Sequence, residues 1–150
     1  MKERLQDPEI LTGCVLVVDD DEDCRRLLAR MLERRGHVVV TADSGRTALE
    51  AIAAGGIDVI MLDVMMPAMD GFEVCRELAR NPENAAVPII LLTARDDLET
   101  RAAGMKLGVS DFLTKPINKD ELFSRVGTQL EARRLDAQLD RASRRIEQIA

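Results

Sequence analysis

DVIMLDVMMPAMDG, residues 58–71, is the stretch whose reading decides the fold. Ile57 to Leu62 is an unbroken apolar run rich in Ile, Val, Leu and Met, and it is predicted to be a buried strand. Asp63 ends the run and opens a loop. A carboxylate directly after a buried strand lies at its carboxyl end, where open α/β sheets place their sites. At such an edge it costs free energy unless a cation or hydrogen bonds compensate it. The other charged groups that share this edge therefore matter most.

Outward from this stretch, the hydrophobic period switches repeatedly. CVLVV (14–18), HVVVT (37–41), IILLT (89–93) and SDFLT (110–114) read as further short strands. Between them lie helical patterns. Glu22 to Arg35 carries Cys24, Leu27, Leu28, Met31 and Leu32 at helical spacing, and Gly36 stops it. Ser44 caps a second helix that runs to about Ala54, where Gly55 and Gly56 end it. Gly71 to Arg80 offers Phe72, Val74, Cys75 and Leu78 for burial, and Asp96 to Leu107 makes a fourth helix ended by Gly108. Pro116 breaks the chain before a long final helix that starts near Asn118. Five strands alternating with five helices predict a doubly wound α/β fold, a parallel sheet covered on both faces with right-handed crossovers. The expected division is a loose tail over 1–12, one domain over 13–130 and a helical extension over 131–150.

Composition narrows the function. At 150 residues the chain is long enough for one real core. Aromatics are 2%, without Trp or Tyr, so that core must be aliphatic and base-stacking platforms are lacking. A net charge of −6 disfavours direct nucleic-acid binding. Cys14, Cys24 and Cys75 form no CxxC pair, which disfavours zinc and points to reduced thiols packed in the core of a cytoplasmic protein. No stretch is long enough to span a membrane. His37, the one histidine, reads as a strand-start residue near the surface rather than a phosphoryl relay.

The strand ends collect chemistry. The first strand ends in Asp19, Asp20 and Asp21, the third in Asp63, the fourth in Thr93 before the small Ala94, and the fifth leads into Lys115 and Pro116. Strands lie about 4.8 Å apart, so carboxylates of neighbouring strands can share one ion. An all-oxygen donor set favours Mg²⁺ or Mn²⁺. A nucleophilic carboxylate, a cation site, a lysine and a hydroxyl are the parts needed to transfer a phosphoryl group. Each residue also has a plainer reading: Asp21 as a helix cap, Thr93 as an ordinary strand residue, Lys115 as a solvated lysine.

Together, VLVVDDDED, DVIMLDVMMPAMDGFEVC, IILLTAR and DFLTKPI resemble the receiver domain of two-component response regulators, from about Cys14 to Leu130. The resemblance implies a flavodoxin-like strand order 2-1-3-4-5. It implies Asp63 as phosphoacceptor, with a sensor histidine kinase, a phosphotransfer protein or a small acyl phosphate as donor. It implies a metal site of Asp20, Asp63, the Met65 backbone carbonyl and, through water, Asp19. Thr93 and Lys115 would contact phosphoryl oxygens, Thr93 and Phe112 would be the switch, and the Lys115–Pro116 bond would be cis. Met65 and Arg95 would flank the pocket and tune the lifetime of the phosphoryl group. Such a module is a signalling switch rather than an enzyme with turnover. A Phe112 that stays fixed in the core is the plain alternative, and Met61, Met65, Met66 and Met69 read as fillers of core and loop. A phosphohydrolase using an aspartyl-phosphate is the enzymatic rival, disfavoured because Met65 stands where a second carboxylate is wanted. A dimerisation module with a silent pocket is the structural rival.

The final helix runs past what one domain requires. Leu122, Val126 and Leu130 recur every four residues and suit a face laid on the sheet. Leu135, Leu139, Ala142, Ile146 and Ile149 then alternate in steps of four and three, an a/d seam that shifts phase near Arg133. The expectation is a signalling linker of a longer regulator, its output domain absent from this chain, and a homodimer through this helix or through the face of the fourth helix, fifth strand and fifth helix. Asp96, Asp97, Glu99 and Arg125 are candidates to pair across that face.

Overall fold

A computed structural model describes residues 11–94 and 98–149. The readings placed on residues 1–10, Arg95, Asp96, Asp97 and Ala150 lie outside these described residues. The elements in order are β1 (Cys14–Val18), α1 (Glu22–Arg34), β2 (Val38–Ala42), α2 (Gly45–Ala53), β3 (Val59–Asp63) and α3 (Gly71–Ala79). A single helical turn at Pro82–Ala85 precedes β4 (Ile89–Thr93), α4 (Leu98–Lys106), β5 (Asp111–Thr114) and α5 (Lys119–Ile149). The five strands form one parallel sheet in the order β2-β1-β3-β4-β5.

The continuous apolar runs have a direct cause. β3 and β4 are buried along their whole length, so both alternating sets of side chains need an apolar environment. Leu16, Leu62, Leu91 and Phe112 face a layer built from Ala48 and Ile52 of α2 and Val74, Cys75 and Leu78 of α3. Val15, Val17, Met61 and Leu92 face Leu28 and Leu32 of α1 and Leu122, Val126 and Leu130 of α5. Side-chain caps set the helix starts: Asp21 accepts from the Asp23 and Cys24 N–H groups, Ser44 from Thr47, and Asp70 from Glu73.

Some expectations are corrected. β3 starts at Val59, two residues later than expected, and Asp63 is its last residue. Just before β3, the Asp58 N–H donates to the Cys14 carbonyl at 2.8 Å, while the Cys14 N–H donates to the Asp58 carboxylate at 2.8 Å. His37 is buried rather than near the surface, since its Nδ1 accepts the Gly13 N–H at 3.2 Å. Leu27 is exposed: the apolar stripe of α1 is wider than the face it buries. Met61 and Met66 fill the core, but Met65 is exposed. Of the cysteines, only Cys75 is fully buried; Cys14 and Cys24 are half-buried, and all three are free. Arg125 pairs with Asp111 of its own chain at 3.2 Å.

α5 is one continuous helix. It is buried at Leu122, Val126 and Leu130, and beyond them Leu135, Leu139 and Ile146 are exposed. The changeover is marked by Arg133, whose guanidinium donates to the Ala86 carbonyl at 3.3 Å and lies 3.8 Å from the Asp58 carboxylate. Among the described residues, no helix is long and apolar enough to cross a membrane.

Candidate functional site

Three strands deliver the pocket. β1 ends one residue before Asp19, β3 ends at Asp63 and β5 ends one residue before Lys115. Asp19 is fully buried and Asp63 nearly so, whereas Asp20 is exposed at the rim. Carboxylate oxygens of Asp19, Asp20 and Asp63 lie within 4.8 Å of one another. The Lys115 ammonium enters from the far side, donating to Asp19 Oδ2 at 2.9 Å and lying 3.3 Å from Asp63 Oδ2.

This asymmetry sets the charges. Burial and then the neighbouring Asp19 charge push the Asp63 carboxyl up to about 6, although Lys115 and the Met65 N–H act against them. Burial is also the largest effect on Asp19 and pushes it upward. The Cys24 thiol, the Lys115 ammonium and the Asp21 N–H together outweigh it, and hold Asp19 below its usual range. Burial alone would lower Lys115; its hydrogen bond to Asp19 and the charges of Asp63 and Asp19 raise it instead. One lysine is thus set against two buried carboxylates, and it serves Asp19 more fully. The crowded, all-oxygen set of Asp19, Asp20 and Asp63 fits a hard divalent cation, which relieves their repulsion.

The neighbouring backbone aims these groups. The Met65 N–H donates to Asp63 Oδ1 at 3.2 Å, and the loop folds back so that the Gly71 N–H donates to the Val64 carbonyl at 2.9 Å. The Lys115 N–H donates to the Thr93 carbonyl at 2.8 Å, which joins the ends of β4 and β5, and the Lys115–Pro116 peptide bond is cis. Thr93 is buried at the end of β4. A model of the response regulator receiver domain matches residues 15–127.

This chain belongs to that family.

The receiver's relatives agree with the match. It is 46% identical over 112 residues to the transcriptional regulatory protein TcrA of Mycobacterium tuberculosis, covering 75% of this chain and 44% of TcrA. It is 49% identical over 116 residues to the response regulator PleD of Caulobacter vibrioides, covering 77% of this chain and 26% of PleD. The chain therefore spans less than half the length of either relative. Among solved structures, the chemotaxis protein CheY4 of Vibrio cholerae superposes with a TM-score of 0.76 at 32% identity, over 80% of this chain and 100% of that one. A receiver domain of two-component signalling thus accounts for most of the chain.

The structure brings Asp19, Asp20, Asp63 and Lys115 together and sets Thr93 beside them at the same sheet edge. Phe112 lies apart, two residues before the end of β5 and buried under α4. Sequence reasoning missed three supports. Arg25 Nη1 donates to the Asp19 carbonyl at 2.8 Å, the half-buried Cys24 thiol helps to hold the Asp19 carboxyl down, and Gly71 lies against the Asp63 backbone. The first two were legible in principle, because residues in the opening turns of a helix point back at the strand end before it.

Proposed function

We propose that Asp63 is the phosphoacceptor of this receiver and that its phosphorylation switches the chain between two conformations. The reading rests above all on the convergence of Lys115 with the two buried carboxylates of Asp19 and Asp63. An Asp63 oxygen attacks phosphorus, and the bond to the donor breaks with its electron pair leaving on the kinase imidazole, the phosphotransfer protein or the acyl group. Asp20, Asp63, the Met65 carbonyl and, through water, Asp19 would hold Mg²⁺ or Mn²⁺, which supplies charge neutralisation at the phosphoryl oxygens. Lys115 and the Thr93 hydroxyl contact those oxygens. Drawn toward the new charge, Thr93 vacates space on the sheet face that it shares with Phe112, and the α4-β5-α5 face responds.

The partners of this reading are a sensor histidine kinase or phosphotransfer protein on the input side and a second copy of the chain on the output side. Residues 13–130 are the receiver and 131–150 a linker to an output domain elsewhere. The exposed seam of Leu135, Leu139 and Ile146 supports pairing of α5 between copies. The phosphohydrolase rival is weaker because Met65, two residues after Asp63, carries no acid or base and its side chain faces solvent. The test is incubation with acetyl phosphate and Mg²⁺ followed by intact mass. Wild type gains one phosphoryl increment and Asp63→Asn gains none. Persistent labelling of Asp63→Asn sinks the assignment.

A further inference from the structure

α4 meets the sheet through a glycine. Its outward residues include Leu98, 85% exposed, and Met105, 63% exposed, and its single buried residue is Gly104. A Cβ at Gly104 would lie 2.8 Å and 2.9 Å from Cε1 and Cζ of Phe112 and 2.9 Å from Cδ1 of Leu91. The helix backbone thus rests directly on the edge of the Phe112 ring. One turn earlier, the Arg101 guanidinium carbon stands 5.2 Å from the centroid of the same ring, a cation–π contact. α4 therefore clasps Phe112 between bare backbone and a cation.

The ring is also in line with the pocket. Leu91 is the register partner of Phe112, and Thr93 of Thr114, so Thr93 and Phe112 stand on one face of the sheet. We infer that Gly104 and Arg101 are positioning residues for the switch, converting the placement of the Phe112 ring into the placement of α4. This rests on the reading of Thr93 and Phe112 as the switch. A buried ring fills the space that Thr93 leaves when drawn toward a phosphoryl group, and α4 can settle over that ring only where it has no side chain. Coupling is reciprocal, so crowding the ring from α4 weakens the pocket's hold on a phosphoryl analogue.

The test is titration of the full chain with beryllofluoride in Mg²⁺, read by calorimetry. Gly104→Ala weakens binding on the order of tenfold, the scale of a modest overpacking penalty. In a Phe112→Leu background the same Gly104→Ala change costs nothing, because the shorter side chain frees the space the new methyl needs. Arg101→Ala introduces no crowding and weakens binding roughly threefold, while Arg101→Lys stays near wild type. If Asp63→Asn binds beryllofluoride as wild type does, the phosphoacceptor reading fails. If Asp63→Asn abolishes binding but Gly104→Ala and Arg101→Ala bind like wild type, the inference is overturned. A loss from Gly104→Ala that is as large in the Phe112→Leu background as in wild type also overturns it. Should Gly104→Ala not fold, the Arg101 pair of variants decides.

Discussion

Replacing Gly71 by Ala tests how the loop after β3 is seated. Gly71 opens α3, and its N–H closes the loop by donating to the Val64 carbonyl. A Cβ there would lie 2.5 Å from the Asp63 carbonyl oxygen, 2.9 Å from the Val64 Cα and 3.2 Å from the Asp63 carbonyl carbon. All three atoms are backbone, so no side-chain rotation relieves the clash. Reaching ordinary van der Waals contact needs roughly 0.9 Å of separation between the start of α3 and the Asp63–Val64 peptide. Overpacking of this kind costs about 1–3 kcal/mol. At this chain length a cost of about 2 kcal/mol lowers Tm by roughly 4–8 °C. The larger effect is on chemistry, because the displaced peptide carries the Asp63 carboxylate and the Met65 N–H that aims it. Misplacement by about 1 Å reduces a positioned reaction on the order of a hundredfold. The matched control is Gly55→Ala. Gly55 has φ +87° and nothing within 4 Å of a built Cβ, so its cost is the left-handed backbone alone, about 1–2 kcal/mol. It lies between α2 and β3, at the sheet edge away from Asp63. Labelling by acetyl phosphate at 20 °C, where both variants are folded, should fall steeply in Gly71→Ala and stay at the wild-type rate in Gly55→Ala. Equal labelling rates in the two variants, at similar losses of Tm, would refute the claim that the start of α3 seats the site.

Three further outcomes are expected. Asp20→Asn changes Tm in EDTA by no more than about 0.5 kcal/mol equivalent, because Asp20 is exposed, yet it removes the rise in Tm produced by Mg²⁺; an undiminished Mg²⁺ shift would exclude Asp20 as a ligand. Burial, then the charge of Arg35, holds His37 below its usual value of 6.5, so the fold favours the neutral imidazole. The stability this contributes is present above that value and is lost as pH falls through the depressed one. Wild type should therefore lose Tm relative to His37→Asn between pH 7 and pH 5, and a constant difference across that range would contradict the assignment. Leu139→Asp places a charge in the exposed seam of α5, and sedimentation should show a loss of dimer with phosphoryl labelling intact; an unchanged mass distribution would remove the seam from the interface.

The architecture was legible because runs such as VLVV and IILL have one economical solution, a strand covered on both faces. Asp19 and Asp63 were legible for the same reason, since a charge that ends such a run has only the sheet edge to occupy; Lys115, which by itself reads as a solvated lysine, was legible only from the FLTKP context around it. The burial of His37 was not, because it depends on the N–H of Gly13, which precedes β1 and is distant in sequence, meeting its ring. The helical turn at Pro82–Ala85 does carry a signal in the sequence, with Asn81 as cap and Pro82 in its first turn. The close approaches at Gly71 and Gly104 left no local trace. A glycine in the first turn or middle of a helix resembles a mere weak point until the partner backbone or ring is in place. Arg101 stayed hidden likewise, as an arginine on a helix with little amphipathic character.

The joint at Arg133 gives α5 a mechanical character. Sixteen residues, 134–149, follow Arg133 in the same unbroken helix, an arm of about 24 Å at 1.5 Å per residue. Its fulcrum is the contact of Arg133 with Ala86 and Asp58, at the sheet edge remote from Asp63. A tilt of roughly 10° about that point sweeps the tip sideways through about 4 Å. That is close to half of the roughly 8–10 Å that separates the axes of packed helices. A change at the fulcrum too small to disturb the core would thus be enough to lift Ile146 away from a partner helix.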